Sequence, residues 1–124
     1  MTSPSPVRIG INGFGRMGRL VLRALPRHPG IELVHVNETA GDLAASAHLL
    51  EFDTVHGRYP GTVGHDGDRL LIDGRPVSFS QVADPADIRW DVAGVDLVIE
   101  ATGKWKTAGK TAGKTALVYI FRVT

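Results

Sequence analysis

Three glycines spaced Gly13-x-Gly15-x-x-Gly18 stand between a short β-branched run and an amphipathic one. That context restricts the fold more than any other feature of the chain. The run Val7-Arg8-Ile9-Gly10-Ile11 reads as a strand. Met17, Leu20, Val21, Ala24 and Leu25 recur at helical spacing, and Pro26 stops the helix. In such a turn the first glycine permits the tight bend and the second lets backbone approach a pyrophosphate. The third lets the helix pack closely on the sheet. The helix N-terminus adds free N–H groups and the positive end of a dipole. Residues 31–36 read as a second strand, and Glu38 follows it, twenty residues past Gly18. A carboxylate at that place can accept both ribose hydroxyls of an adenosine. The pattern therefore implies a dinucleotide site. The plainer reading is a tight turn and an ordinary solvated acid. A carboxylate also repels a 2′-phosphate, which favours NAD over NADP. Thr39 could bond a phosphate and Arg16 is near in sequence, so that choice stays open.

The rest of the chain fits around this unit. Residues 39–50 read as a helix with Leu43, Ala44, Ala47 and Leu50 on one face and Thr39 or Asp42 as cap. Residues 57–68 have little periodicity and read as loop or weak strands. Residues 69–73 and 77–80, around Gly74-Arg75-Pro76, read as an antiparallel hairpin. Asp84-Pro85 starts a short helix, with Asp84 as N-cap. Residues 96–100 are a buried-type strand ending at Ala101-Thr102-Gly103, where open α/β sheets place ligands. Residues 117–123 have the β-branched and aromatic content of a further strand, too apolar to leave unpaired. This order implies an α/β fold: a Rossmann-type, doubly wound, mainly parallel sheet with an inserted antiparallel hairpin. The expected layout is a loose lead-in (1–6), a dinucleotide-binding domain (7–103) and a divergent segment (104–124).

Composition narrows the function classes. With 124 residues, 43% hydrophobic and 22% charged, the chain has the profile of one globular domain. A net charge of +1 gives no general attraction to nucleic acid or membranes. No apolar run approaches the roughly 20 residues of a membrane helix. The N-terminus lacks a signal-peptide stretch, so a cytoplasmic address is expected. Charge is uneven, however. Residues 1–100 hold nine Arg, no Lys and all thirteen acids, whereas 104–124 hold all four Lys and no acid. The repeats Gly109-Lys110-Thr111 and Gly113-Lys114-Thr115 miss the phosphate-loop spacing, because five and three residues separate the glycines where four are needed. None of the five His has helical ligand spacing, and no metal site is expected.

The run Ile9-Gly10-Ile11-Asn12-Gly13-Phe14-Gly15-Arg16-Met17-Gly18-Arg19 resembles the N-terminal signature of glyceraldehyde-3-phosphate dehydrogenases. Further similar segments follow in order: His48-Leu49-Leu50-Glu51-Phe52-Asp53-Thr54-Val55-His56-Gly57, Asp84-Pro85 through Trp90, and Glu100-Ala101-Thr102-Gly103. The resemblance spans about residues 7–107. It implies that Asn12, Gly13, Phe14, Gly15, Arg16, Met17 and Gly18 hold the pyrophosphate, Arg16 and Met17 through backbone N–H. Glu38, beside Asn37, stands where the family usually has an Asp on the adenine ribose. Thr102 and Gly103 would line the cofactor. Ala83 departs from a frequent Arg near the adenine. The Asn37-Glu38 pair and the run from His48 to Asp53 look more like erythrose-4-phosphate dehydrogenases and arsenate-linked relatives.

The family's chemistry needs a nucleophilic thiolate and a His from a second, catalytic domain. This sequence has no cysteine, and the resemblance fades after Thr107. The expectation is a cofactor-binding half, truncated and without catalytic residues of its own, that binds NAD. The alternative is a non-catalytic dinucleotide-binding or protein-interaction module. The apolar terminal strand makes homo-oligomer formation an expectation in either case.

Overall fold

Ile9 and Ile11 alternate with small or polar residues and lie buried in a central strand of the sheet, while Val7 at its start is exposed. The computed structural model describes residues 5–53, 57–103 and 119–123. In chain order its elements are β1 (Val7–Asn12), α1 (Arg16–Ala24), β2 (Ile31–Asn37), α2 (Leu43–Glu51), β3 (Phe52–Asp53) and β4 (Gly57–Arg58). There follow β5 (Val63–Asp66), β6 (Arg69–Ile72), β7 (Arg75–Ser80), β8 (Leu97–Glu100) and β9 (Tyr119–Arg122). Single 3₁₀ turns lie at Leu25–Arg27 and Pro85–Asp87.

Seven strands make one sheet in the order β5-β6-β7-β2-β1-β8-β9. The four central strands, β7, β2, β1 and β8, run parallel. β5 and β6 extend them on one side as antiparallel strands, and β9 lies antiparallel to β8 on the other. The expected hairpin is β6 and β7, and its second strand also joins the parallel set through β2. The chain leaves β1 towards β2 and later returns on the opposite side of β1 as β8. Strand order therefore reverses at β1, and such a reversal opens a crevice outside the carboxyl ends.

The pairing of β1 with β2 contains one irregularity. Val7 to Ile9 face Ile31 to Leu33 residue for residue, but Gly10 faces His35, so Val34 is passed over. This β-bulge sets everything beyond it one step along. Asn12 consequently lies beside Asn37, where an unbroken register would have placed Val36.

Both α-helices pack on one sheet face. Leu22 of α1 and Ala47 and Leu50 of α2 close over Ile11, Val36, Leu70 and Val77. Each fully buried aliphatic side chain contributes roughly 1.5–3 kcal/mol. On the second face Ile88, Trp90 and Val95 cover Val98. Trp90 lies so close to β1 that a Cβ at Gly10 would sit 2.6 Å from its ring, which explains a glycine inside a strand.

Two helix expectations are corrected. The buried side of α1 is carried by Gly18 and Leu22, with Met17 and Val21 half-buried, while Leu20 is exposed. Gly18 must lie innermost against β1, and the residue one turn on then follows it inward. α2 begins at Leu43 rather than near Thr39. Of the two expected caps Asp42 is the one used, its carboxylate accepting from the Ala45 N–H at 2.8 Å. Residues 39–41 are kept out of the helix because the Glu38 carboxylate holds the Ala40 N–H at 2.7 Å. The Asp84 cap and Pro85 turn are found as expected. The terminal strand is β9, which leaves Ile120 64% exposed at the sheet edge. Leu117, Val118 and the repeat at 107–114 lie outside the described residues. Among the described residues, no helix is long and apolar enough to cross a membrane.

Candidate functional site

Four parallel strands end on one rim. Asn12 closes β1, Asn37 β2, Ser80 β7 and Glu100 β8. Beyond them lies an open cleft of about 450 Å³, within the usual range for small-molecule sites. One wall is the glycine turn after β1. The opposite wall is Val82, Ala83 and Pro85.

The three glycines of the turn answer to three different constraints. Gly13 has φ +96°, and a Cβ there would lie 2.7 Å from the Thr102 nitrogen. Its own N–H donates to the Asn37 carbonyl at 2.8 Å. Gly15 caps the N-terminus of α1 and has nothing within 4 Å of its Cβ position. A ligand can therefore come against backbone there. Gly18 is packed under the turn: a Cβ would lie 2.1 Å from the Gly13 carbonyl oxygen. The first-turn N–H groups of α1 have no partner within the helix, and their dipole favours an anion.

Glu38 is fixed by the backbone on both sides. One carboxylate oxygen accepts from Phe14 N–H at 2.6 Å and the other from Ala40 N–H at 2.7 Å. A carboxylate offers about four lone-pair sites. Two remain for ligand hydroxyls on the cleft side, where Glu38 forms part of the lining.

Beneath the rim runs a buried polar network. Glu100, 3% exposed, accepts from Asn12 Nδ2 at 2.5 Å and from Thr102 N–H at 2.9 Å. It also accepts from the Thr102 hydroxyl. Asn37 Nδ2 donates to Asn12 Oδ1 at 2.9 Å and to the Val82 carbonyl at 3.1 Å. Asn37 Oδ1 accepts from Val82 N–H at 2.9 Å and from Ser80 Oγ at 2.7 Å. Asn37 thus ties the two walls together. His35 lies below, 8% exposed, with Nδ1 2.6 Å from Ser78 Oγ and Nε2 2.8 Å from Ser80 Oγ. Burial pushes its pKa down from the ordinary value, so the ring is neutral at neutral pH.

The structure brings together Asn12, Gly13, Gly15, Asn37, Glu38 and Thr102. Phe14 turns its ring into the core, and its N–H is held by Glu38. Met17 packs against the core and Gly18 beneath the turn. Arg16 is exposed at the start of α1, and Gly103 is exposed beyond Thr102 with φ +74°. These five are not among the residues that line the cleft. Thr39 and Ala83 are. Sequence reasoning missed the supports: Glu100 as the anchor of Asn12 and Thr102, Val82 as a wall, and His35 with Ser78 and Ser80. The available signal was the pair His35 and Asn37, polar at alternate positions of a strand otherwise apolar enough to be buried. Among the described residues no group of three or more side chains could hold a metal ion.

A family profile described as "Glyceraldehyde 3-phosphate dehydrogenase, NAD binding domain" matches residues 7–108. The chain is 56% identical over 101 residues to glyceraldehyde-3-phosphate dehydrogenase 3 of Nostoc sp., covering 82% of this chain and 30% of that protein. It is 42% identical over 106 residues to the glyceraldehyde-3-phosphate dehydrogenase of Colletotrichum lindemuthianum, covering 86% of this chain and 32% of that protein. It is 40% identical over 102 residues to glyceraldehyde-3-phosphate dehydrogenase 1 of Giardia intestinalis, covering 82% and 30%. The chain therefore spans less than a third of the length of these relatives. On the profile match and these identities, the chain belongs to the glyceraldehyde-3-phosphate dehydrogenase family, and residues 7–108 are an NAD-binding domain of it.

Proposed function

We propose that the cleft binds the nucleotide of NAD with its pyrophosphate against Gly13 and Gly15 and the N-terminus of α1. Its adenosine ribose lies on Glu38, and Asn12 and Thr102 complete the near wall. The observation that carries this is the doubly anchored Glu38 carboxylate beside an open Gly15. The anchored oxygens leave acceptor capacity for ribose hydroxyls. The charge opposes a 2′-phosphate, so NAD is preferred over NADP. Thr39, also in the lining, is the residue that would otherwise favour the phosphate.

In the reading that the relatives' names support, the domain presents NAD for oxidation of an aldehyde phosphate. The sequence has no cysteine, so a thiol nucleophile for that chemistry comes from outside these residues. The same lack is the one observation favouring a second reading, a dinucleotide-binding module without catalysis.

Replacing Glu38 by alanine tests the ribose assignment. NAD affinity should fall because the ribose contacts and the anchored turn are both lost. NADP should lose less, so the ratio of the two affinities should narrow by about tenfold, some 1.4 kcal/mol. Calorimetric titration with both cofactors reads the ratio. An unchanged ratio would remove Glu38 from the ribose.

A further inference from the structure

Three features of the adenosine side of the cleft share one support. The bulge at Val34 aligns Asn37 with Asn12. Asn37 in turn holds Val82 by both its N–H and its carbonyl, as a neighbouring strand would. Under both lies His35, gripped at its two ring nitrogens by hydroxyls from β7. One of these, Ser78, also donates to the carbonyl of Val34, the residue that the register passes over, at 2.9 Å. The other, Ser80, also reaches Asn37 Oδ1. The Trp90 ring meets the imidazole at 88° with centroids 5.4 Å apart, closing it from the second sheet face.

The arrangement is specific to an imidazole or its near equivalent. A neutral ring offers one donor and one acceptor at opposite ends. It can therefore engage both serines at once: with Nε2–H donating to Ser80, whose hydroxyl goes on to Asn37 Oδ1, the single Ser78 hydrogen is shared between Nδ1 and the Val34 carbonyl. A hydrophobic side chain of similar size would fill the space but leave two buried hydroxyls facing it. Ser78 and Ser80 would then bond only Val34 and Asn37, and the spacing of β2 and β7 beside the bulge would rest on the backbone ladder and those two bonds, without the imidazole between the serines.

We infer that His35 is a positioning residue for nucleotide binding. By pinning the bulge and, through Ser80, the Asn37 carboxamide, it sets the distance between the glycine-turn wall and the Val82–Ala83 wall that receive the adenosine. This rests on the reading that the cleft takes the adenosine half of NAD. His35 touches no ligand in this assignment. It acts through Asn37.

The test uses the full chain and two ligands, NAD and AMP, the latter presenting only the adenosine half. His35→Leu should weaken both by about the same factor, near tenfold, the size of one oriented hydrogen bond. His35→Gln keeps a donor and an acceptor, and should restore affinity to within about threefold of the parent chain. Equal affinity of the leucine and parent chains would overturn the inference. So would a glutamine variant as weak as the leucine one, because packing alone would then account for the loss. A loss for NAD with none for AMP would place the effect on the wrong half of the cleft and overturn it too. Should the leucine variant not fold, Ser80→Ala carries the test. It removes one hydroxyl and no bulk, and should weaken AMP binding by at least about threefold, unchanged binding being the contrary result. If the parent chain binds neither ligand, the cleft assignment itself fails, an outcome distinct from failure of the His35 role.

Discussion

Gly18→Val is expected to destabilise the chain by about 3 kcal/mol or more and to abolish nucleotide binding. The Cβ alone would stand 2.1 Å from the Gly13 carbonyl oxygen and 3.2 Å from Ile11 Cγ2. Neither neighbour is the free end of a flexible side chain. The carbonyl belongs to the turn itself, so relief must come from lifting α1 off β1, which exposes Leu22 and separates the turn from the rim. Gly15→Ala is the instructive contrast. Gly15 has φ −75°, which any residue adopts, and its Cβ position is open. Stability should fall by about 1 kcal/mol at most, the difference between Gly and Ala at an N-cap. Affinity for NAD should nonetheless fall about tenfold, because the methyl occupies the approach to backbone N–H groups. Thermal denaturation and calorimetry on both variants separate the glycine that holds the fold from the glycine that admits the ligand. A loss of stability at Gly15 as large as that at Gly18, or none at Gly18, would contradict these assignments.

Glu100→Ala is expected to cost about 3 kcal/mol of stability and most of the binding. The carboxylate is buried and accepts three hydrogen bonds, from Asn12 Nδ2, Thr102 N–H and the Thr102 hydroxyl. Removing it leaves buried donors facing a cavity. The same carboxylate fixes Thr102 against Gly13 and Asn12 against Asn37, so the near wall of the cleft loosens with it. Glu100→Gln keeps the shape but turns one acceptor into a donor. It should cost about half as much, since the Thr102 hydroxyl can reverse its role whereas Asn12 Nδ2 and Thr102 N–H cannot. Chemical denaturation measures both, and equal stability of the alanine variant and the parent would show that the network contributes little.

The readings that held were local ones. The strand–glycine turn–helix unit, the acid after the second strand, the Asp42 and Asp84 caps and the β6–β7 hairpin each follow from residues within a few positions of one another. Helix phase was less legible. The stripe of Met17, Leu20, Val21, Ala24 and Leu25 suggested one face, but with Gly18 buried against Gly13 it is Leu22 that points inward, and Leu20 and Ala24 are exposed. That need is a contact between elements, not a property of the helix. The bulge at Val34 belongs to the same class. It is a register between two strands, and it becomes visible only when Gly10 is found opposite His35. The supports of the site were hidden for a related reason. His35 meets Ser78 and Ser80 across 43 and 45 positions, and Asn12 meets Glu100 across 88. No local pattern marks such pairs, although polar residues at alternate positions of an apolar strand point to where partners must exist.

The central claim is that the rim after β1, β2 and β8 is a dinucleotide site selective through Glu38. Calorimetric titration of the chain with NAD and, separately, with NADP tests it most directly. Saturable binding of NAD at one site per chain is expected, with NADP weaker by at least about tenfold. No binding of NAD, or NADP binding as tightly as NAD, would contradict it.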